Sequence, residues 1–119
     1  MPWTKRRPRD FDYWRRRERS WRRQHIEAAP GRAFNRYDYA RAWRRQAGRC
    51  GLCHKAFQNF TLMTVTTNLV AGIGRGISVD HQHHDRRFRA LVHGRCNHLI
   101  NGNTVESTRN ILAYLRRFQ

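Results

Sequence analysis

The sequence predicts a small α+β domain whose fold is stabilised by a zinc ion. The chain has 119 residues, enough for one domain, and a hydrophobic fraction of 39% can build only a small core. Segments with helical periodicity alternate with short β-branched segments, and three cysteines include one pair with zinc-ligand spacing. The length excludes a two-domain enzyme, and the absence of a long apolar run excludes a membrane span.

Charge is the strongest feature of the composition. Lys and Arg number 25 against 8 Asp and Glu, a net charge of +17, and 23 of the 25 basic residues are Arg. Guanidinium groups bind phosphate through two parallel hydrogen bonds and stack on bases, which ammonium groups cannot do. Nucleic acid, and DNA in particular, is therefore the expected partner. An anionic membrane surface is the second candidate, since a basic aromatic helix would also suit it.

The first predicted element is a basic helix over residues 9–29, bracketed by Pro8 and Pro30. Aromatic and imidazole side chains recur on one face of this helix. The helix belongs to a predicted N-terminal arm, residues 1–33, which precedes a predicted body, residues 34–119. The arm can pack its aromatic side chains on the body, and its arginines can bind phosphates. The two roles are compatible, and we expect both. The one-face residues are Phe11, Trp14, Trp21 and His25. The candidate DNA-binding residues of the arm are Arg15, Arg16, Arg19, Arg22 and Arg23.

A second helix is predicted to begin after Asn35. Asn35 is a suitable N-cap with an acid, Asp38, three residues later, and Gly48 supplies a C-terminal stop. One face of this helix carries Tyr37, Ala40, Trp43 and Ala47, and is predicted to pack in the core.

The cysteines and one histidine form two pairs with zinc-ligand spacing. Cys50 and Cys53 are separated by two residues, and His93 and Cys96 repeat that spacing. Three buried reduced cysteines, without a metal, are the alternative, but two matched pairs favour a structural zinc site. A disulfide framework would leave one thiol unpaired. The predicted zinc joins residues 50 and 96 and so stabilises the small core.

Between the two pairs, the sequence predicts two strands followed by a helix. Residues 61–67 and 77–80 are rich in β-branched side chains, and the glycines between them predict a turn. Residues 88–92 are a further strand, and 96–100 begin a helix that Asn101-Gly102 ends. The predicted unit consists of the strand at 77–80, the strand at 88–92 and the helix that begins at 96, with zinc at its ends.

Three polar residues of this unit suit phosphodiester hydrolysis. That reaction needs a base for the attacking water and a cation at the phosphate. Asp80 suits a hard cation such as Mg²⁺, and His81, on the opposite side of an extended strand, can accept a proton near neutral pH. Asn97, next to a zinc cysteine, can offer a second oxygen ligand. His81, His83 and His84 form a cluster of three histidines within four residues. Such a cluster alone would more often mean nonspecific metal affinity, but its position beside Asp80 favours a catalytic role.

These motifs resemble those of the HNH, or His-Me finger (ββα-metal), nucleases, and more closely the phage recombination endonuclease VII-like family. The resemblance covers about residues 37–118. It rests on four segments: Gln46-Ala-Gly-Arg-Cys50-Gly-Leu-Cys53, Asp80-His-Gln-His83, Arg89-Ala-Leu-Val-His93-Gly-Arg-Cys96-Asn97 and Ile111-Leu-Ala-Tyr-Leu115.

The resemblance implies a role for each matching residue. Asp80 and Asn97 would bind a catalytic Mg²⁺ or Mn²⁺, His81 would be the general base, His83 would assist at the phosphate, and Arg89 would lie near the cleaved backbone. A structural zinc would be bound by Cys50, Cys53, His93 and Cys96. Two departures from the family pattern are His93, where cysteine is usual, and Gln82, where a second acid is common.

The sequence therefore predicts a metal-dependent DNA endonuclease that nicks or cuts with low sequence specificity. The alternative is a non-catalytic zinc-stabilised nucleic-acid-binding module, which would need the zinc ligands and the arginines but not Asp80, His81 and Asn97. Met1 is followed by charged residues rather than an apolar stretch, so we expect a cytoplasmic protein, in the host cell if it is phage-encoded. The sequence leaves the oligomeric state and the preferred DNA structure open.

Overall fold

A long N-terminal helix begins the computed structural model, which describes residues 2–118 and, over 2–9, the backbone alone. The first residues of the predicted arm, with the side chains of Trp3 and Lys5, therefore lie outside the described part. The described chain is a small mixed α+β domain with four helices and three two-stranded antiparallel sheets. The elements are α1 (Pro2–Arg23), β1 (Glu27–Ala29), β2 (Arg32–Ala33), α2 (Arg36–Arg45), β3 (Thr61–Thr66), β4 (Leu69–Ile73), β5 (Ile77–His81), β6 (Phe88–His93), α3 (Gly94–Ile100) and α4 (Val105–Arg116).

The aromatic residues of α1 form part of the core. Trp14 and Trp21 are almost fully buried, and Trp21 packs edge-on against Phe34 and stacks on Tyr39 of α2. The Trp14 indole N–H donates a hydrogen bond to the carbonyl of Thr64 in β3, which satisfies its one polar atom. The core thus runs across the predicted boundary between arm and body, because the helix face at 14 and 21 is needed to cover α2.

The predicted extent of this first helix is wrong at both ends, since α1 begins at Pro2 and continues through Pro8 rather than starting at residue 9. The helix ends at Arg23, and His25 adopts a left-handed backbone conformation (φ 57°) that turns the chain into β1. His25 is consequently exposed, and Phe11 is also exposed at 51%, with the guanidinium groups of Arg15 and Arg36 over its ring. Two of the four residues predicted on the buried face are therefore buried.

Replacing Trp21 by alanine is expected to lower the free energy of unfolding by about 3–5 kcal/mol, because a large side chain is removed from a packed core. Phe11→Ala is the matched control, and we expect it to cost less than about 1 kcal/mol because half of that ring already contacts water. Urea denaturation followed by circular dichroism measures both. If both variants lose the same amount of unfolding free energy, the placement of α1 in the core is contradicted.

Helix α2 begins at the predicted cap. The Asn35 side chain accepts hydrogen bonds from the backbone of Tyr37 and Asp38, and the Asp38 carboxylate accepts one from the backbone of Asn35. The helix ends at Arg45, earlier than the predicted stop at Gly48, and Ala47 and Gly48 follow in the left-handed region (φ 54° and 68°). The predicted buried face is only partly correct, because Tyr37 and Ala47 are exposed. The buried residues of α2 are Asp38, Tyr39, Ala40 and Ala42.

The glycine-rich segment contains a strand that the sequence interpretation missed. β3 pairs with β4, with a turn between them at residues 67–68, and of the three glycines only Gly76 lies in a turn, at 75–76 before β5. Gly72 lies within β4, where a Cβ atom would lie 2.3 Å from the Trp43 ring. The glycine is required for this close approach to α2 and does not mark a turn, which explains the wrong assignment.

The predicted order of strand, strand and helix is present at β5, β6 and α3. β5 and β6 pair antiparallel, with Ile77 opposite His93, and a β-bulge interrupts the register between Asp80 and His81. α3 follows β6 directly and packs on both strands. Among residues 2–118, no helix is both long enough and apolar enough to cross a membrane.

Candidate metal centre and adjoining polar site

The two predicted ligand pairs meet in space. One ligand atom from each of Cys50, Cys53, His93 and Cys96 lies within 4.8 Å of the others, and the cysteines are free of disulfides. The His93 Nδ1 atom is 3.3 Å from the Cys53 sulfur and 4.0 Å from that of Cys96. A tetrahedral zinc with bonds of about 2.0–2.3 Å requires ligand atoms roughly this far apart. The cluster could therefore bind a structural metal such as zinc, in agreement with the prediction.

The first ligand pair is fixed by contacts with β6. Gly51 follows Cys50 and approaches β6 so closely that a Cβ atom there would lie 2.6 Å from the Cβ of Ala90. Its backbone N–H donates a hydrogen bond to the carbonyl of Leu91. The Gln46 side chain bonds the same strand, donating to the Leu91 carbonyl and accepting from the Leu91 N–H. The loop that carries the first two cysteines is thus joined to the strand that delivers the third ligand.

The second ligand pair lies at the junction of β6 and α3. His93 is the N-cap residue of α3, and Cys96 lies in the first turn of that helix. The Phe57 ring packs edge-on against the His93 imidazole, with ring centres 4.9 Å apart, and this contact fixes the ring orientation. Both pairs are therefore presented by ordered elements.

The thiols show the charge conflict that a cation would relieve. Burial acts to raise the pKa of Cys50, but backbone N–H groups of Cys53, His93 and Leu52 outweigh it and lower that pKa to about 6. Burial and the neighbouring Cys50 and Cys53 thiols raise the pKa of Cys96 to about 11. The Cys50 thiol is therefore easily deprotonated, and the neighbouring thiols oppose the deprotonation of Cys96. A divalent cation compensates such charge, and the donor set fits zinc.

Asp80, the predicted ligand of a catalytic cation, is buried and paired with Arg89. The Arg89 Nε and Nη2 atoms donate to the two carboxylate oxygens at 2.7 and 2.9 Å. Only 7% of the Asp80 side chain is exposed, whereas 43% of the Arg89 side chain remains in contact with solvent. Carboxylate oxygen is the right ligand type for Mg²⁺, but Arg89 occupies both oxygens. A cation at Asp80 would therefore share the carboxylate with Arg89 or displace it.

His81 lies at the end of β5, directly after the bulge. The extra residue of the bulge is Arg89 of β6, so β5 itself continues without interruption from Asp80 to His81. The imidazole of His81 stacks on that of the exposed His83, with ring centres 5.4 Å apart. Burial lowers the pKa of His81, and the nearby His83 lowers it further, against an opposing contribution from Asp80. His81 is therefore an uncharged proton acceptor near neutral pH.

Asn97 lies in α3, next to the buried Cys96. Its side chain lines a cavity together with Ser78 and Val79, which belong to the strand that ends in Asp80 and His81. None of the hydrogen bonds within the described part of the chain joins Asn97 to Asp80, His81 or His83. The hairpin and helix thus bring the candidate residues to neighbouring elements, and Asn97 is not hydrogen-bonded to the others.

The five arginines predicted to bind DNA are exposed on α1, opposite the buried tryptophans. Arg15, Arg16 and Arg19 surround one polar depression with Asp12. Sequence reasoning did not single out Arg17, although its spacing of three and four from Trp14 and Trp21 places it on the buried face. It also missed the ion pair of Glu18 with Arg36, at 2.8 Å, which joins α1 to the first turn of α2.

Comparison with known protein families, curated proteins and solved structures finds no match for this chain. The assignment of function therefore rests on the residues and their geometry.

Proposed function

We propose that this protein is a metal-dependent DNA endonuclease of the HNH (His-Me finger) type, similar to the phage recombination endonuclease VII-like family. The observation that carries the proposal is the unit of β5, β6 and α3. Its first strand ends in Asp80-His81, and its helix presents Asn97 one residue after a ligand of the candidate zinc site. A ββα-metal nuclease has its reactive groups on this combination of elements.

In the proposed reaction, His81 removes the proton from the attacking water and is uncharged at neutral pH because of its lowered pKa. His83, stacked on His81, lies at the phosphate, and the exposed arginines of α1 bind the backbone of the nucleic acid. Bound Mg²⁺ or Mn²⁺ supplies charge neutralisation at the phosphate and the leaving oxygen. Asp80 and Asn97 are the residues that would bind that ion.

Arg89 has two roles in this proposal. Without a cation it neutralises the buried Asp80 carboxylate, whose burial unpaired would be costly. If a cation were bound at Asp80, the Arg89 guanidinium, already 43% exposed, would be available to the phosphate backbone. The exchange agrees with the role that the resemblance implies for Arg89.

A second candidate function is a zinc-stabilised nucleic-acid-binding module without catalysis. The ion pair of Asp80 with Arg89 favours it, because a carboxylate with both oxygens bound to Arg is complete as a structural element. The module would keep the candidate zinc cluster and the exposed arginines of α1. It would have no use for an uncharged imidazole at His81.

A plasmid assay separates the two functions. We expect supercoiled DNA to be nicked or linearised when Mg²⁺ or Mn²⁺ is added and to stay intact without either. Asp80→Asn should abolish cleavage while DNA binding is retained, because the charge that attracts the cation is lost and the side-chain size is kept. Asp85→Asn, which changes an exposed acid outside the site, is the control. Tight DNA binding without cleavage under any cation would favour the module.

The pH dependence of cleavage should identify His81. Since its pKa is lowered and the base must be unprotonated, kcat/KM should fall only when the pH drops below the ordinary histidine value of about 6.5. His83→Ala removes a neighbour that lowers the pKa of His81, so it should raise that pKa and move the acid limb to higher pH. His84→Ala, at an exposed position beside Asp85, should leave the limb unmoved. An acid limb that is the same in all three proteins would contradict the assignment.

A further inference from the structure

A polar cavity lies between α1, the turn before β5 and helix α3. It has a volume of about 330 Å³. Five polar residues line it: Arg17, Gln24, Arg75, Ser78 and Asn97. Two of them are cations and none is an acid, so the cavity attracts an anion.

Arg17 is held in place by packing rather than by an acid. Its guanidinium lies over the Trp21 ring, 5.3 Å from the ring centre. Its Nε atom is buried, and no group among the described residues accepts a hydrogen bond from it. The neighbouring acid on α1, Glu18, is bound to Arg36 instead. A buried, charged donor without an acceptor indicates that the acceptor comes from outside the chain.

We propose that this cavity binds a phosphate group of the nucleic-acid backbone. Arg17 and Arg75 bind the anionic oxygens, and the Ser78 hydroxyl is a further donor. The inference rests on the proposed function in one respect, since Asn97 shares the cavity and is a candidate ligand of the catalytic cation. The phosphate held there is therefore adjacent to the cleaved one or is the cleaved one itself.

The proposal gives α1 a different role from that of a charged arm. The exposed arginines of α1 can follow any phosphate by side-chain rotation. Arg17, in contrast, is fixed by the same helix face that fills the core. A fixed donor positions one phosphate relative to Asn97, so it determines register as well as affinity.

Duplex binding tests the proposal without relying on cleavage. We would measure fluorescence anisotropy of a labelled duplex in the His81→Ala background, with zinc retained and no other divalent cation added. Arg17→Gln and Arg75→Gln should each weaken binding about tenfold or more, as expected for the loss of a hydrogen bond to a charged group. Arg109→Gln, at an exposed position of α4 that does not line the cavity, removes the same charge and should change binding less than about twofold.

Arg17→Gln could weaken binding by disturbing the packing of Trp21, so thermal unfolding is measured on each variant. Arg75 lies in an exposed turn, and its substitution tests the cavity without that risk. Equal losses for Arg75→Gln and Arg109→Gln would overturn the proposal, since the effect would then be one of overall charge. If the wild type does not cleave plasmid DNA but Arg17→Gln and Arg75→Gln still weaken duplex binding, the enzymatic function is overturned and the phosphate site stands.

A direct reading comes from the NMR signal of the Arg17 Nε–H group. The signal should shift on addition of the duplex and of a dinucleotide that contains one phosphodiester. A shift with inorganic phosphate but not with either nucleic acid would overturn the backbone assignment in favour of a free-phosphate site. No shift with any of the three would overturn the site itself.

Discussion

His81→Ala is expected to reduce the rate of DNA cleavage by about 10²–10⁴-fold, the usual contribution of a general base. The His81 imidazole has a lowered pKa and lies at the end of β5, beside Asp80, so its removal leaves the attacking water without a proton acceptor. Initial rates of plasmid nicking at saturating Mg²⁺ measure the loss. Zinc content and duplex affinity should stay near those of the wild type.

His98→Ala is the matched control, because His98 is exposed on α3 and contacts none of the proposed reactive groups. Its cleavage rate should equal that of the wild type. If a pure His81→Ala preparation cleaves as fast as the control, the general base is another residue.

Removal of the zinc should unfold the domain. Structural zinc contributes apparent binding energies of about 10–16 kcal/mol in small zinc peptides, as much as the whole stability of a typical domain. Cys50 and Cys96 are buried, so an empty site would also leave ionisable groups without water. We expect one zinc per chain by elemental analysis, and loss of the circular dichroism of the folded state after chelation or in Cys50→Ala.

Substitution of His93 tests the fourth ligand. His93→Cys should keep the zinc, because thiolate is an equally good ligand, whereas His93→Ala should weaken binding. His54→Ala, an exposed histidine next to the first ligand pair, should have no effect on zinc content. A folded, active sample without zinc would show that the cluster is not a metal site.

Short-range patterns were the reliable part of the sequence interpretation. The candidate metal-ligand set follows from two identical spacings, and the structure brings all four residues together. The start of α2 follows from a cap whose hydrogen bonds involve residues only two or three positions apart. Such features depend on local geometry, which the sequence specifies directly.

Features that depend on contacts between distant segments could not be predicted. The glycine at position 72 was interpreted as a turn residue, because the Trp43 ring that requires it lies 29 positions earlier in the chain. After α1 the chain turns at His25, which has a left-handed backbone conformation. Glycine is the usual residue in that conformation, so the histidine gave no signal that the helix ends before it. The bidentate bond between Arg89 and Asp80 involves the extra residue of the bulge in β6, and periodicity does not predict that bulge.

The hydrogen bonds of Gln46 have a consequence for how copies of this chain behave in concentrated solution. A two-stranded sheet has unpaired backbone groups along its outer sides, and these can pair with a strand of another molecule and start aggregation. At Leu91, in the middle of β6, the outward N–H and C=O groups are already bonded to the Gln46 amide and to the Gly51 N–H. A side chain thus occupies the place of a neighbouring strand and prevents intermolecular pairing at that position.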